Sequence, residues 1–154
     1  MSRLSYSRRP AKYIQRHMVV DALRRLRAFS PLEEYEYVGF GGMEFVDFEL
    51  IHRQLGIKRL VSIEENGKDA ARFRFNVPFE GVSIKFDKAS AVLPTLLDKP
   101  YLRVVWLDYE CELNLEVLQD LGTAIRKLVP GSAFIVSVNA QGPRLSDERS
   151  QRFA

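Results

Sequence analysis

The chain has 154 residues and a mass of 17.7 kDa, with 46% hydrophobic and 28% charged residues. This balance is typical of one globular domain and excludes a disordered or fibrous chain. No apolar run approaches the ~20 residues that cross a bilayer. The first ten residues also lack the apolar stretch of a secretory signal. The sequence therefore predicts a cytoplasmic protein that has no membrane contact.

The sequence offers few residues for a disulfide or a metal site. Cys111 is the only cysteine, which excludes an intramolecular disulfide and argues against a zinc site built on thiolates. The two histidines, His17 and His52, have neither another histidine nor a cysteine at ligand spacing. We therefore assign no residue to a metal.

The formal net charge of +3 is unevenly distributed. Residues 1–30 hold eight basic residues and one acidic residue, whereas residues 31–154 hold fifteen basic and nineteen acidic residues. From Pro10 to Ser30, apolar residues recur at helical spacing, which predicts an amphipathic helix with Arg16, Arg24 and Arg27 outside its apolar stripe. Two interpretations stay open for its basic face: solvation, or contact with nucleic acid through Arg8, Arg9, Lys12 and Arg16.

After Pro31, short apolar runs alternate with helical patterns. The runs predict strands at residues 35–40, 59–64, 82–86, 102–108 and 132–138, with helices at 43–55, 67–76, 89–97 and 113–128. This alternation predicts an α/β fold: a doubly wound, mostly parallel five-stranded Rossmann-like sheet with helices on both faces. We divide the chain into a basic helical segment (1–30), a core (31–140) and a polar tail (141–154).

A glycine-rich turn, Gly39-Phe40-Gly41-Gly42, follows the first predicted strand, where open α/β sheets bind ligands. A dinucleotide fingerprint requires a third glycine where this chain has Glu44, and no P-loop lysine follows. Glu44 and Asp47 in the first turns of the next helix would repel a phosphate. The turn therefore favours an uncharged or cationic nucleoside.

Two carboxylates stand at the end of the second predicted strand. A carboxylate at this place can accept two hydrogen bonds from a ribose diol. Glu64 is our candidate, and Glu65 is the alternative. We expect the Glu64 carboxylate to face the glycine turn across a gap that is wide enough for a sugar ring.

These residues occur in an order that resembles class I S-adenosylmethionine-dependent methyltransferases. The resemblance rests on the glycine turn, Ile63-Glu64, Ala89–Pro94, Trp106-Leu107-Asp108-Tyr109 and a Pro130-Gly131 turn before the last strand. It covers about residues 35–138. It implies S-adenosylmethionine as the cofactor and leaves the methyl acceptor unknown.

The resemblance also implies roles for particular residues. The cofactor-binding set is Gly39 and Gly41 on the methionine side with Phe40 and Gly42 in the same turn, Glu64 at the ribose, and Asp87 near the adenine. The residue nearest the transferred methyl is Asp108 or Tyr109, which are the candidate catalytic residues. The sequence departs from the family at Lys88, where an acid is usual and Asp87 is adjacent.

Three alternatives remain. Asp108, Glu110 and Glu112 alternate, so they would share one face of a longer strand and bind Mg²⁺, for instance in a metal-dependent phosphodiester enzyme. Alternatively, the domain is a catalytically degenerate module that assembles with a protein partner or nucleic acid, as in a multi-protein defence complex. The family's two further strands are missing, so a longer native chain, a partner or an oligomer would cover the open sheet edge.

Overall fold

The computed structural model describes residues 10–140, and these residues form a five-stranded sheet with helices on both faces. The strands are β1 Glu36–Gly39, β2 Arg59–Ile63, β3 Val82–Lys85, β4 Arg103–Asp108 and β5 Ala133–Ser137. The α-helices are α1 Pro10–Leu23, α2 Val46–Leu55, α3 Ala70–Phe75, α4 Ala89–Leu96 and α5 Leu115–Lys127. Short 3-10 helices occupy Arg24–Ala28, Leu32–Glu34 and Gly67–Asp69.

All neighbouring strands pair in parallel, in the order β3-β2-β1-β4-β5. The predicted fold class is confirmed. The strand order reverses at β1, which pairs with β2 on one side and with β4 on the other. The carboxyl ends of β1 and β4 therefore border the crevice in which such sheets bind ligands.

Each face of the sheet carries its own apolar cluster, because successive strand residues point to opposite faces. Tyr37 and Trp106 pack on one face against α1, α2 and α3. Val38 and Val105 pack on the other face against α4 and α5. These strands are almost fully buried, which explains why Tyr37-Val38 and residues 104–107 are uninterrupted apolar runs.

The predicted elements all occur, with differences at some ends. Helix α1 ends at Leu23 and continues as a 3-10 helix to Ala28, short of the predicted Ser30, and α2 starts late. The helix begins at Val46, three residues later than expected. Phe45 precedes it in the left-handed region (φ 49°), so the glycine turn extends into a longer loop before the helix forms. Gly56 ends the helix at φ 73°, a conformation that glycine adopts without a steric penalty.

The orientation of α1 differs from the one that its apolar spacing predicts. Arg16 is buried, with 6% exposure, whereas Ile14 and Met18 are 58% and 67% exposed. Val20 and Leu23 alone of the α1 residues are buried in the apolar core. The prediction that Arg16 lies outside the buried face is wrong because Arg16 forms an ion pair with Asp47, as described below.

Helix α1 contributes two residues, Val20 and Leu23, to the same apolar cluster as the sheet. The division of the chain into a segment (1–30), a core (31–140) and a tail (141–154) stays a prediction. Within residues 10–140, none of the helices combines the length and apolar character needed to span a bilayer.

Candidate active site

The glycine turn (residues 39–42) and the end of β2 are joined by hydrogen bonds. The backbone N–H groups of Gly41 and Gly42 donate to Oε1 of Glu64 at 2.8 and 3.0 Å. The Ser62 hydroxyl donates to the same oxygen at 2.6 Å. Ser62 and Glu64 are two residues apart in an extended segment, so they share a face and reach the turn together. The structure thus places the two predicted parts of the nucleoside site in contact.

The expected gap between the carboxylate and the turn is absent. Oε1 of Glu64 bonds directly to the turn, so no sugar ring fits between them. The two N–H groups take the Glu64 carboxylate as their acceptor, and the Gly41 N–H also donates to Ser62 Oγ at 3.1 Å. Oε2 takes part in none of these bonds.

Burial changes the acidity of Glu64. Desolvation raises the pKa of Glu64 above its ordinary value, although the hydrogen bonds from Ser62, Gly41 and Gly42 act in the opposite direction. The side chain of Glu65, by contrast, is 74% exposed and lies 3.7 Å from Lys88. Of the two candidates for the ribose contact, Glu64 is the one that faces the turn.

Two glycines of the turn are required by the protein's own packing. A Cβ on Gly39 would come within 2.8 Å of the Tyr37 hydroxyl and 2.9 Å of the Trp106 carbonyl oxygen. A Cβ on Gly41 would come within 2.6 Å of Ser62 Oγ and 2.7 Å of the Phe45 ring. Gly42 differs, because its φ is 57° and open space surrounds its missing Cβ. Of these three glycines, only Gly42 has no other heavy atom within 4 Å of its missing Cβ.

Gly41→Ala is expected to lower the free energy of unfolding by about 1–3 kcal/mol, because the new methyl group overlaps a buried ring and a hydrogen-bonded hydroxyl. Gly42→Asn is the matched control. Asparagine tolerates the left-handed conformation and would meet open space, so we expect a change below about 1 kcal/mol. Urea unfolding of both variants measures the difference, and equal costs would contradict this explanation.

Four charged side chains, here called the ionic cluster, lie where α1 crosses the carboxyl ends of the strands: Lys12, Arg16, Asp47 and Asp108. Lys12 Nζ lies 3.1 and 3.0 Å from the two carboxylate oxygens of Asp108. Arg16 Nε pairs with the Asp47 carboxylate. Each carboxylate of the cluster is thus matched by one cation from α1.

Asp108 is the last residue of β4 and belongs to the same edge of the sheet as the glycine turn. Gly39 lies opposite Trp106 in the β1–β4 register, so Asp108 is level with the turn two residues further on. Tyr37 is fully buried nearby: burial and, secondarily, the charges of Asp47 and Asp108 raise its pKa well above the ordinary value. Its phenol is therefore neutral at physiological pH.

Tyr109 follows Asp108 and packs against the glycine turn. Its ring contacts Phe40 edge to face, with centroids 5.1 Å apart, and its hydroxyl donates to Oδ2 of Asp120 at 2.7 Å. Burial first, and then the bond to Asp120, raise the pKa of Tyr109. A phenol that stays protonated and donates to a neighbouring carboxylate does not act as a base at neutral pH.

The Asp120 partner of Tyr109 predicts a pH dependence of stability. Burial raises the pKa of Asp120 above the ordinary value of 3.8. Its contribution to stability is therefore fully present below about pH 3.8 and is lost as the pH rises through the folded-state pKa. Asp120→Asn still accepts the Tyr109 hydroxyl but does not titrate. Relative to this variant, the free energy of unfolding of the wild type should fall as the pH rises, by about 1.4 kcal/mol for each unit by which the folded-state pKa of Asp120 exceeds its unfolded-state pKa. Denaturant unfolding from pH 3 to 8 measures this difference, and a constant difference between the two proteins would contradict it.

Asp87 stands two residues past the end of β3, on the same edge of the sheet. It is exposed, and its Oδ1 accepts the backbone N–H of Lys88 at 2.8 Å. Lys88 binds Glu116 at 3.0 Å and faces away into solvent. The structure therefore places Asp87 two strands away from β1, and no contact joins it to the glycine turn among the described residues.

The magnesium alternative required β4 to continue past Asp108. The strand ends at Asp108, so Glu110 and Glu112 lie in the loop before α5 and do not extend its face. No three His, Cys, Asp or Glu side chains in residues 10–140 form a group that could hold a metal ion. The expected alignment of these three acids is therefore wrong.

The basic residues assigned to nucleic acid have mixed outcomes. Arg8 and Arg9 lie outside the described residues. Lys12 and Arg16 form the ion pairs given above, and a phosphate contact through them stays a prediction. Sequence reasoning missed the proximity of Lys12 to Asp108, because no local pattern links residues 96 positions apart. Ser62 could have been found, since it alternates with Glu64 at the strand end.

The sequence itself matches a protein family. Residues 4–154 match the model of a family described as "Putative O-methyltransferase". No curated protein matches the chain. Because the family model covers nearly all of the sequence, it decides membership independently of the fold.

Solved structures match the fold. A structure titled a putative caffeoyl-CoA O-methyltransferase from Staphylococcus aureus gives a TM-score of 0.59 at 12% identity, over 80% of this chain and 56% of that one. A structure titled a putative methylase from Haemophilus influenzae gives a TM-score of 0.59 at 19% identity, over 86% of this chain and 76% of that one. The structure of cofactor-bound Rv0187 from MTB gives a TM-score of 0.52 at 20% identity, over 86% of this chain and 67% of that one. The chain thus spans little more than half of the Staphylococcus aureus protein.

The identities are low, so these structures support the fold and not a particular activity. The family match and the fold agree with the resemblance seen in the glycine turn, the β2 carboxylate and the end of β4. The chain belongs to the family described as "Putative O-methyltransferase" and has the Rossmann-like fold of class I methyltransferases.

Proposed function

We propose that this chain is an S-adenosylmethionine-dependent O-methyltransferase domain whose acceptor is not identified. The observation that carries the proposal is the contact between the Glu64 carboxylate and the Gly41-Gly42 backbone. It lies at the point where the strand order reverses, in a chain that belongs to a methyltransferase family. The family match shows that the chain belongs to this family, and we propose that the chain itself catalyses methyl transfer.

The residues present fit the cofactor. The open space beside Gly42 admits a ligand close to the backbone, and Glu64 Oε2 offers an acceptor for the ribose hydroxyls. Gly39, Phe40 and Gly41 would complete the methionine side, and Asp87 the adenine side. When bound, S-adenosylmethionine supplies an electrophilic methyl group and becomes a neutral thioether after the methyl is transferred to oxygen.

Positioning supplies most of the catalysis in this proposal. Asp108 orients the acceptor hydroxyl: its oxygens are engaged by Lys12, but a carboxylate oxygen has two lone pairs and can accept a second donor. Tyr109 and Phe40 form an aromatic wall that excludes water from one side. The hydroxyl proton passes to Asp108 or to solvent.

Calorimetric titration with S-adenosylmethionine and with S-adenosylhomocysteine tests the proposal. We expect saturable binding of both compounds. No heat for either compound, at concentrations far above micromolar, would overturn the proposal. The second measurement is methyl transfer from labelled S-adenosylmethionine to a panel of hydroxyl-bearing small molecules, in which incorporation would identify the acceptor class.

We also infer a cytoplasmic location, which rests on the composition and on the apolar runs of the sequence, all too short to span a bilayer.

We further propose that a partner, a second copy or additional chain covers the outer edge of β5, whose Val136 is 41% exposed. Light scattering of the purified protein, alone and after co-purification, tests the second proposal; a monomer with no partner would count against it.

A further inference from the structure

Lys12 is a cation held against a carboxylate at the carboxyl end of β4. Its Nζ contacts both oxygens of Asp108, and Asp108 ends β4 beside the glycine turn. The two side chains are 28% and 21% exposed, so the pair lies at the mouth of the crevice and not in the core. A ligand that enters the crevice would meet this pair.

The rest of the ionic cluster is already matched. Arg16, only 8% exposed at its side chain, binds Asp47, and these two charges are more deeply buried than the Lys12–Asp108 pair. The Tyr37 phenol beside them is neutral, because its pKa is raised by burial. Among these groups, Lys12 therefore decides how much of the Asp108 negative charge a bound ligand experiences.

We propose that Lys12 is a specificity-determining residue that sets how strongly the site distinguishes the cationic methyl donor from its neutral product. The proposal rests on the proposed function, since it needs the donor sulfonium to lie near Asp108. With Lys12 present, the Asp108 charge is largely compensated, so the sulfonium of the donor binds only slightly more favourably than the thioether of the product. Without Lys12, Asp108 attracts the sulfonium and not the thioether.

Lys12→Met removes this cation and keeps most of the side-chain stem. We expect the ratio of S-adenosylhomocysteine to S-adenosylmethionine dissociation constants to rise by about 3- to 10-fold, because a unit charge at this range acts through a partly screened medium. The rise should shrink at 1 M salt, since the pair is partly exposed. Isothermal titration calorimetry of both ligands measures the ratio.

Lys58→Met is the matched control. Lys58 is exposed and immediately precedes β2, at the opposite edge of the sheet and roughly 16 Å from the end of that strand. Lys58→Met is the same substitution as Lys12→Met and changes the net charge equally. Because Lys58 lies far from Asp108, we expect the ratio of dissociation constants to stay at the wild-type value. Lys12→Arg, which keeps the cation, should also retain it. Far-UV circular dichroism checks that each variant is folded.

The outcomes separate the two proposals. If the wild type binds both ligands and Lys12→Met leaves the ratio at the value of Lys58→Met, the role of Lys12 is overturned while the proposed function stands. If the wild type binds neither ligand, both are overturned. If Lys12→Met does not fold, Lys12→Gln replaces it with the same expected rise. A rise that is absent from Lys58→Met and Lys12→Arg supports the proposal.

Discussion

Glu64→Gln is expected to weaken S-adenosylmethionine binding by roughly 10- to 100-fold while leaving the domain folded. Glutamine keeps an oxygen that can accept the N–H groups of Gly41 and Gly42, so the turn retains its acceptor. Its amide nitrogen then stands in place of Oε2 and cannot accept from a ribose diol, which removes charge-assisted hydrogen bonds that contribute about 1.5–3 kcal/mol each. Calorimetric titration measures the affinity.

Glu65→Gln is the control for this prediction. Glu65 is the neighbouring carboxylate, it has the same charge, and its side chain is 74% exposed beside Lys88. We expect less than a twofold change in affinity. Equal losses for the two variants would indicate a general effect of charge, and a loss confined to Glu65→Gln would assign the ribose contact to the other strand-end carboxylate.

Arg103→Met is expected to cause the largest loss of stability, about 3–5 kcal/mol. Arg103 is 1% exposed at the start of β4, and its Nε donates to Glu36 Oε2 at 2.7 Å. Its Nη2 donates to the carbonyl oxygen of Leu96, the last residue of α4, and its Nη1 to that of Lys99 in the loop that follows. Removal of the guanidinium leaves the Glu36 carboxylate buried without its cation.

A double variant separates the ion pair from the space that it fills. Arg103→Met combined with Glu36→Gln should recover part of the loss, because no unpaired charge remains buried. Lys127→Met, in the exposed pair with Asp98, is the control and should cost less than about 1 kcal/mol. Guanidinium chloride unfolding measures all three. A single-variant cost near that of Lys127→Met would contradict the structural role of Arg103.

The fold was predictable because its central strands β1 and β4 are buried on both faces. Val104, Val105 and Leu107 are fully buried, so the part of β4 between Arg103 and Asp108 is a continuous apolar run. The start of α2 was less predictable. The left-handed conformation of Phe45 arises from tertiary packing of its ring against Gly41, and helical periodicity contains no signal for it.

The candidate site was predictable in its position but not in its contacts. Strand ends and turns placed Glu64, Asp108 and the glycine turn on one edge, because parallel strands end together. The direct bond from Glu64 to the turn depends on side-chain conformation, which the sequence does not specify. The ion pair between Lys12 and Asp108 depends on how α1 crosses the sheet, and the apolar spacing of α1 indicated a different buried face.

The packing around the glycine turn also affects how related sequences should be compared. A domain of this kind that had lost its ligand would still need Gly39 and Gly41, because the tyrosine, phenylalanine and strand oxygen around them leave no space for a methyl group. Selection for folding alone would retain both. Under the proposed function, divergence at position 42 is therefore the more informative sign that a related sequence does not bind a nucleoside.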